Sequence, residues 1–187
     1  MLQRSQNRVG RIVVRGFTII ELMVTVAVIA ILAAVAIPSF ESIINGNRIT
    51  SQANELVGAM QRARREAIRF NQRVYICSSS NGTSCAASSR WRGWLVFRDD
   101  NGDAQPAAAE IMSQGLVKDP VVVTSALNPG VLHFRSDGLA RGTTGDGLLA
   151  TNFTVCIATT RPAQNIRGIA MASGSRMNIT RSSGTCQ

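Results

Sequence analysis

From Leu22 to Phe40 the chain carries no charged side chain. Coiled as a helix at ~1.5 Å per residue, such a run is about as long as the hydrocarbon core of a bilayer is thick. A single carboxylate, Glu21, stands at its start. Moving a charge to the bilayer centre costs roughly 2.5–3.5 kcal/mol, and less near the interface, so a charge kept at this position needs a reason. Arg4, Arg8, Arg11 and Arg15 precede it, with no acid before Glu21. The excess of positive charge predicts that Met1–Gly16 stays cytoplasmic and that the C-terminal part crosses. An ordinary secretory signal places its apolar region ahead of the cut, so the region is discarded. Here the small residue Gly16 lies ahead of the run, and a cut there leaves the helix on the mature protein. Glu21 then has a natural partner in the α-amino group created at Phe17 of a neighbouring subunit. Opposite charges at close range lower the cost of burying both.

The stretch Gly16-Phe17-Thr18-Ile19-Ile20-Glu21-Leu22 resembles the class III signal of type IV pilins and pseudopilins. The basic leader, the Glu shortly after the cut and Pro38 inside the apolar helix are part of the likeness. The resemblance implies that a membrane-embedded prepilin peptidase cleaves between Gly16 and Phe17 and methylates the new Phe17 amine. Over nearly its whole length the chain is similar to the FimT/FimU branch of minor pilins and to the type II secretion relative GspH. That implies a helical spine under a β-sandwich-like head.

The implied organisation is a cleaved leader over 1–16, a transmembrane and assembly helix over 17–44, and a periplasmic or extracellular head over 45–187. Removing the four leader arginines lowers the formal charge from +9 to +5. Nearly all the cations are Arg, with Lys118 the single lysine. Four cysteines fit an oxidising compartment, and by sequence alone they allow three pairings. Cys77 and Cys85 are close in sequence; the resemblance to FimU-like proteins implies that Cys156–Cys186 staples the C-terminal tail to an internal strand. No spacing suits zinc, and His133 is the only histidine. No cofactor is expected.

Past Asn45-Gly46-Asn47, a weak point for a helix, Ile49, Ala53, Leu56, Met60, Ala63 and Ala67 recur at alternating four and three residues. This predicts an amphipathic helix over 47–70. Arg62, Arg65 and Arg69 fall on its outer side, with Glu66 in reach of Arg62 and Arg69. The period then changes to two. Strands are expected at Val74–Cys77, Trp94–Phe97, Glu110–Ser113, Val121–Ser125, Val131–Phe134, Phe153–Ala158, Ile166–Ala172 and Met177–Thr180. Many short strands after one long helix predict an α+β arrangement, the helix packed on antiparallel sheets. Asp99-Asp100-Asn101-Gly102-Asp103 lacks the ligand spacing of a calcium loop, and turn chemistry accounts for it.

No catalytic constellation is present: no nucleophile with a base, no phosphate loop and no paired carboxylates in apolar surroundings. His133 alternates within Leu132-His133-Phe134 and reads as a structural histidine. The expected role is therefore assembly, with other pilins, the prepilin peptidase and the inner membrane as partners, and with Glu21 and Pro38 serving the helix. A minor pilin of a type IV pilus, in its tip or priming complex, is the leading expectation; a type II secretion pseudopilin is the alternative. A third reading is DNA capture for natural transformation. The resemblance places a Gly-Arg-x-Arg motif near the C-terminus of DNA-binding relatives, where this chain reads Gly174-Ser175-Arg176-Met177-Asn178. Asn178 takes the place of the second arginine, which leaves Arg161, Arg167, Arg176 and Arg181 as a candidate phosphate-binding patch. The mature protein is expected to begin at methylated Phe17, so mass spectrometry of the native chain should find residues 1–16 missing and one methyl group added.

Overall fold

In the computed structural model the described residues are 16–143 and 147–186. The leader expected over 1–16 lies outside them, save Gly16. Helix α1 (Ile19–Phe70) runs for 52 residues. Its start is set by Thr18, whose Oγ1 accepts the Glu21 N–H at 3.2 Å while its carbonyl accepts Leu22 N–H at 3.1 Å. Thr at the cap with Glu three residues later is a helix-start signature, and the carboxylate suits the positive end of the helix dipole. Phe17 and Thr18, expected inside the helix, therefore precede it.

The expected weak point does not break α1, which continues through Asn45-Gly46-Asn47 as it does through Pro38. Asn45 is buried and donates through Nδ2 to the Arg161 carbonyl at 2.9 Å. Thr50 Oγ1 donates to the Gly46 carbonyl at 2.8 Å. Tertiary contact thus overrides a poor local propensity. At the far end Asn71 adopts φ 53° and Gln72 N–H returns to the Ala67 carbonyl at 3.3 Å, a left-handed stop.

The chain divides into a unit up to Ser39 and a second from Phe40 onward. In the first, the apolar side chains of α1 stand open: Ile19 is 79% and Leu32 64% exposed. In the second, Ile49, Ala53, Leu56, Met60, Ala63 and Ala67 are all fully buried. This is the stripe that the four-three spacing predicts.

Ten strands follow: β1 (Val74–Ser78), β2 (Arg90–Trp91), β3 (Gly93–Arg98), β4 (Ile111–Leu116), β5 (Val121–Ser125), β6 (Val131–Phe134), β7 (Ala140–Gly142), β8 (Thr151–Ile157), β9 (Ile166–Met171) and β10 (Met177–Ser182). They form two antiparallel sheets, ordered β4-β3-β1-β6-β7 and β10-β9-β8-β5-β2. The helix stripe joins one cluster with Ile76, Val96 and Phe134 of the first sheet and Val123, Phe153 and Ile169 of the second. The fold is thus the expected α+β arrangement. Strands β1 and β3 are buried on both faces, because Tyr75, Cys77, Leu95 and Phe97 form a second cluster away from the helix, with Cys85 and Ala104 packed on it. Tyr75 stacks on Phe97 with ring centroids 5.1 Å apart, and His133 leans on Tyr75 at 4.9 Å.

Two strands go beyond the sequence reading. β2 and β7 span two and three residues, too short for an alternation to register. β4 starts one residue later than expected and runs three further, to Leu116. Within it, Gly115 is required: a Cβ there would lie 2.2 Å from the Trp94 ring. Leu56→Ala should destabilise the fold by about 2–5 kcal/mol through lost contact and a residual cavity. Gly115→Ala should destabilise it as well by forcing Trp94 aside, and urea unfolding of the two variants beside the parent measures both.

Candidate functional site

Two regions carry the sequence-predicted residues: the start of α1, and the arginines of the second sheet with the loops beside it. At the first, Gly16, Phe17 and Thr18 lie ahead of the helix without regular structure, and Phe17 is 84% exposed. Glu21 is exposed in the first turn of α1, and Pro38 lies within the helix. The peptide bond after Gly16 is thus free of secondary structure that a peptidase would have to unwind.

The four arginines do not form one exposed patch. Arg167 is only 5% exposed and is used internally. Its Nε donates to Thr50 Oγ1 at 3.2 Å, and its Nη1 donates to the carbonyls of Gln164 and Ile166 at 2.9 and 3.0 Å. Burial pulls its pKa below the ordinary arginine value, and Arg181 adds to the effect. Arg181 is its direct partner across the β9–β10 ladder, so the structure brings these two cations together. Arg161 lies between β8 and β9 and makes an exposed ion pair with Glu41 at 3.6 Å. Arg176 is exposed between β9 and β10. Beside it Ser175 is fully buried, accepting Ala140 N–H on Oγ at 2.7 Å and Arg64 Nη1 on its carbonyl at 3.3 Å. Asn178 is exposed on β10.

Disulfides join Cys77 to Cys85 and Cys156 to Cys186, each with Cα atoms 5.6 Å apart. The second ties the tail to β8. Asn165 reinforces it, donating to the Gly184 carbonyl at 3.0 Å and accepting Gly184 N–H at 3.1 Å. In the Asp99–Asp103 turn, Asp99 Oδ1 accepts the amides of Gly102 and Ala104 at 2.9 and 3.3 Å. Asp100 is paired with Arg98, and that hydrogen bond holds its carboxyl below the ordinary range. Among the described residues no group of three or more His, Cys, Asp or Glu is placed to hold a metal.

The sequence reading missed the polar ties between α1 and the sheets. Gln52, 3% exposed, donates to the Leu116 carbonyl at 3.4 Å and accepts Lys118 N–H at 3.2 Å. Gln52, adjoining Ala53 in the apolar stripe, and Asn45, four residues before Ile49, were the available signal: polar residues on the buried side of a helix need partners from outside it.

Comparison with known proteins places these features in a family. Residues 52–183 match the model of type II transport protein GspH, and residues 13–37 match the prokaryotic N-terminal methylation motif. A fimbrial protein of Pseudomonas aeruginosa is 44% identical over 127 residues, covering 63% of this chain and 82% of that protein. The type IV major alpha-pilin of Moraxella bovis is 36% identical over 70 residues, 37% of this chain and 43% of that pilin, so this match spans under half of the relative. Among solved structures, the type IV minor pilin FimU of Pseudomonas aeruginosa superposes with TM-score 0.55 at 19% identity, covering 75% of this chain and 94% of that one. The minor pseudopilin EpsH of the Vibrio cholerae type 2 secretion system gives TM-score 0.51 at 10% identity, with 72% and 97% covered. These two likenesses are of fold.

Because Arg167 is structural, Arg167→Gln should lower stability by about 1–3 kcal/mol, the cost of leaving buried carbonyls and a hydroxyl without a donor. Arg176→Ala and Arg181→Ala, on exposed positions, should stay within about 0.5 kcal/mol of the parent. Thermal unfolding of the three variants separates the two classes.

Proposed function

This chain belongs to the GspH family and is a minor pilin or pseudopilin of the type IV pilus and type II secretion class, and within that class we propose that it is a minor pilin of a type IV pilus, built into the tip or priming complex. The observation that carries the assembly reading is the open apolar surface of α1 between Ile19 and Phe40. No described residue of the fold covers it, and the helix is long and apolar enough to cross a membrane. Such a surface needs either lipid or the helices of other subunits.

The proposed sequence of events follows from this. The prepilin peptidase cuts between Gly16 and Phe17 and methylates Phe17. The helix over 17–44 holds the subunit in the inner membrane with the head over 45–187 in the periplasm. On assembly, the helix exchanges lipid for the helices of neighbouring pilins and the head reaches the cell surface in the fibre. Apolar burial at ~25 cal/mol per Å² provides the association energy. Glu21 sets the axial register by pairing with a neighbour's Phe17 amine, and the head is left to make specific contacts. Nothing in this role requires catalysis.

The pseudopilin of type II secretion is a second reading, supported by the extent of the match to type II transport protein GspH. The DNA-capture reading is weakened by the burial of Arg167, which leaves Arg161, Arg176 and Arg181 as the exposed members of the candidate set. Glu21→Ala should reduce incorporation into sheared, purified fibres by at least tenfold while leaving the amount of protein in the membrane unchanged; normal incorporation would overturn the register role.

A further inference from the structure

Strand β10 ends its sheet and is hydrogen-bonded to β9 alone, so its far side is an open edge. The hairpin fixes which backbone groups lie on that side. Ala172 N–H donates to the Arg176 carbonyl, and bonded and unbonded pairs alternate along an antiparallel ladder. Asn178, Thr180 and Ser182 therefore bond β9. Met177, Ile179 and Arg181 turn their N–H and C=O groups outward. No backbone hydrogen bond reaches these three residues from any other described segment.

This edge is held firmly and guarded little. Sheet edges are commonly protected by proline, by a bulge or by a covering element. β10 has no proline, and its pairing with β9 runs from Met177 to Ser182 without a register shift. Both of its ends are pinned. Before it, buried Ser175 accepts Ala140 N–H on Oγ at 2.7 Å. After it, the Cys156–Cys186 bridge and the two bonds between Asn165 and Gly184 fix the tail. Other edges are closed in part: the Leu116 carbonyl of β4 accepts Gln52 Nε2, and the Arg92 carbonyl just past β2 accepts Val117 N–H.

The side chains specify the chemistry of a missing neighbour. Met177 and Ile179 are half-buried and pack on the main core cluster. Arg181 follows on the same face and is exposed. Directly across the ladder from it stands Arg167, in an unbonded pair, the closer kind, with Cβ atoms about 4.5–5.5 Å apart. Like charges placed opposite one another are destabilising. Among the described residues neither arginine has a carboxylate partner.

We propose that the β10 edge takes up an extended segment of another protein as an added strand, with apolar residues against Met177 and Ile179 and a carboxylate against Arg181. The open backbone groups supply hydrogen bonds to any extended chain, and the alternate side chains choose which one. β10 of a second copy contains no acid, so self-pairing would leave Arg181 unmatched. A polyanion would engage Arg181 but leave the backbone groups and both apolar side chains unused. The edge is separate from the apolar part of α1, so failure here leaves the assembly reading standing.

Peptide binding to the full chain in detergent micelles tests this, read by fluorescence anisotropy of labelled acetyl-Thr-Glu-Thr-Val-Thr-Val-Thr-amide. Laid antiparallel to β10, this peptide sets its Glu opposite Arg181 and its two Val residues opposite Ile179 and Met177. It should bind about tenfold more tightly than the same peptide with Lys in place of Glu. Methylating the amide nitrogen of the first Val removes the donor aimed at the Ile179 carbonyl and should weaken binding by about tenfold or more. Arg181→Glu should reverse the order of the Glu and Lys peptides. Hydrogen exchange at the amides of Met177, Ile179 and Arg181 should slow when the peptide binds. No binding up to about 1 mM, or binding indifferent to the methyl group, overturns the proposal. So does stronger protection of the same three amides by a DNA duplex, which would assign the edge to phosphate. Protection that grows with protein concentration in the absence of peptide would mark self-pairing and overturns it equally.

Discussion

An apolar helical surface that its own chain leaves open is the constraint on which the molecule turns. Nineteen residues without a charge, from Leu22 to Phe40, cannot remain in water as a separate exposed helix. The same helix, carried on past Asn45, becomes the central element of a sheet-covered core. One continuous α1 therefore serves two solvents: its first part is apolar on every side, and its second is apolar on a single stripe. The change falls where Glu41 and Arg48 enter the sequence.

The second part is secured in two physical ways. Along the stripe from Ile49 to Ala67, small and large apolar side chains together join both sheets into one cluster. Asn45, Thr50 and Gln52 add directional bonds with Arg161 in the β8–β9 loop, Arg167 of β9 and Leu116 of β4. Apolar packing tolerates sliding; a buried amide that must find a given carbonyl does not. The polar ties sit at the start of the buried stripe, where they fix which residue of the helix enters the head first. At the other end the guanidinium groups of Arg69 and Arg98 lie over the Phe70 ring, 4.8 and 4.6 Å from its centre.

Much of this was legible from residues alone, for identifiable reasons. The helix stripe is periodic over about five turns, and the long strands carry branched and aromatic runs bounded by turn residues. Such signals are local and redundant. The features that escaped are not. The helix continues through Asn45-Gly46-Asn47 because a carbonyl more than a hundred residues away satisfies Asn45. Arg167 sits in an alternating strand and looks solvent-directed until β9 is placed beside the helix hydroxyl of Thr50. Strands β2 and β7 exist because longer neighbours offer them an edge, and their own two or three residues hold no pattern. The Thr18 cap lay within reach of sequence reasoning, in the Thr-x-x-Glu spacing, yet the same Glu21 drew attention to assembly.

The two disulfides differ in when they can form. Cys77 and Cys85 are eight residues apart and enclose a single loop, so their closure needs only local search. Cys156 lies in β8, and its partner arrives 30 residues later, after β9 and β10 have both been made. Correct pairing there requires that the last two strands have already folded back across the sheet. The first bridge is thus a local clasp available to an unfinished head, and the second is a seal that records the completed one. An oxidant meeting the chain too early can close the former correctly, while the latter rewards patience.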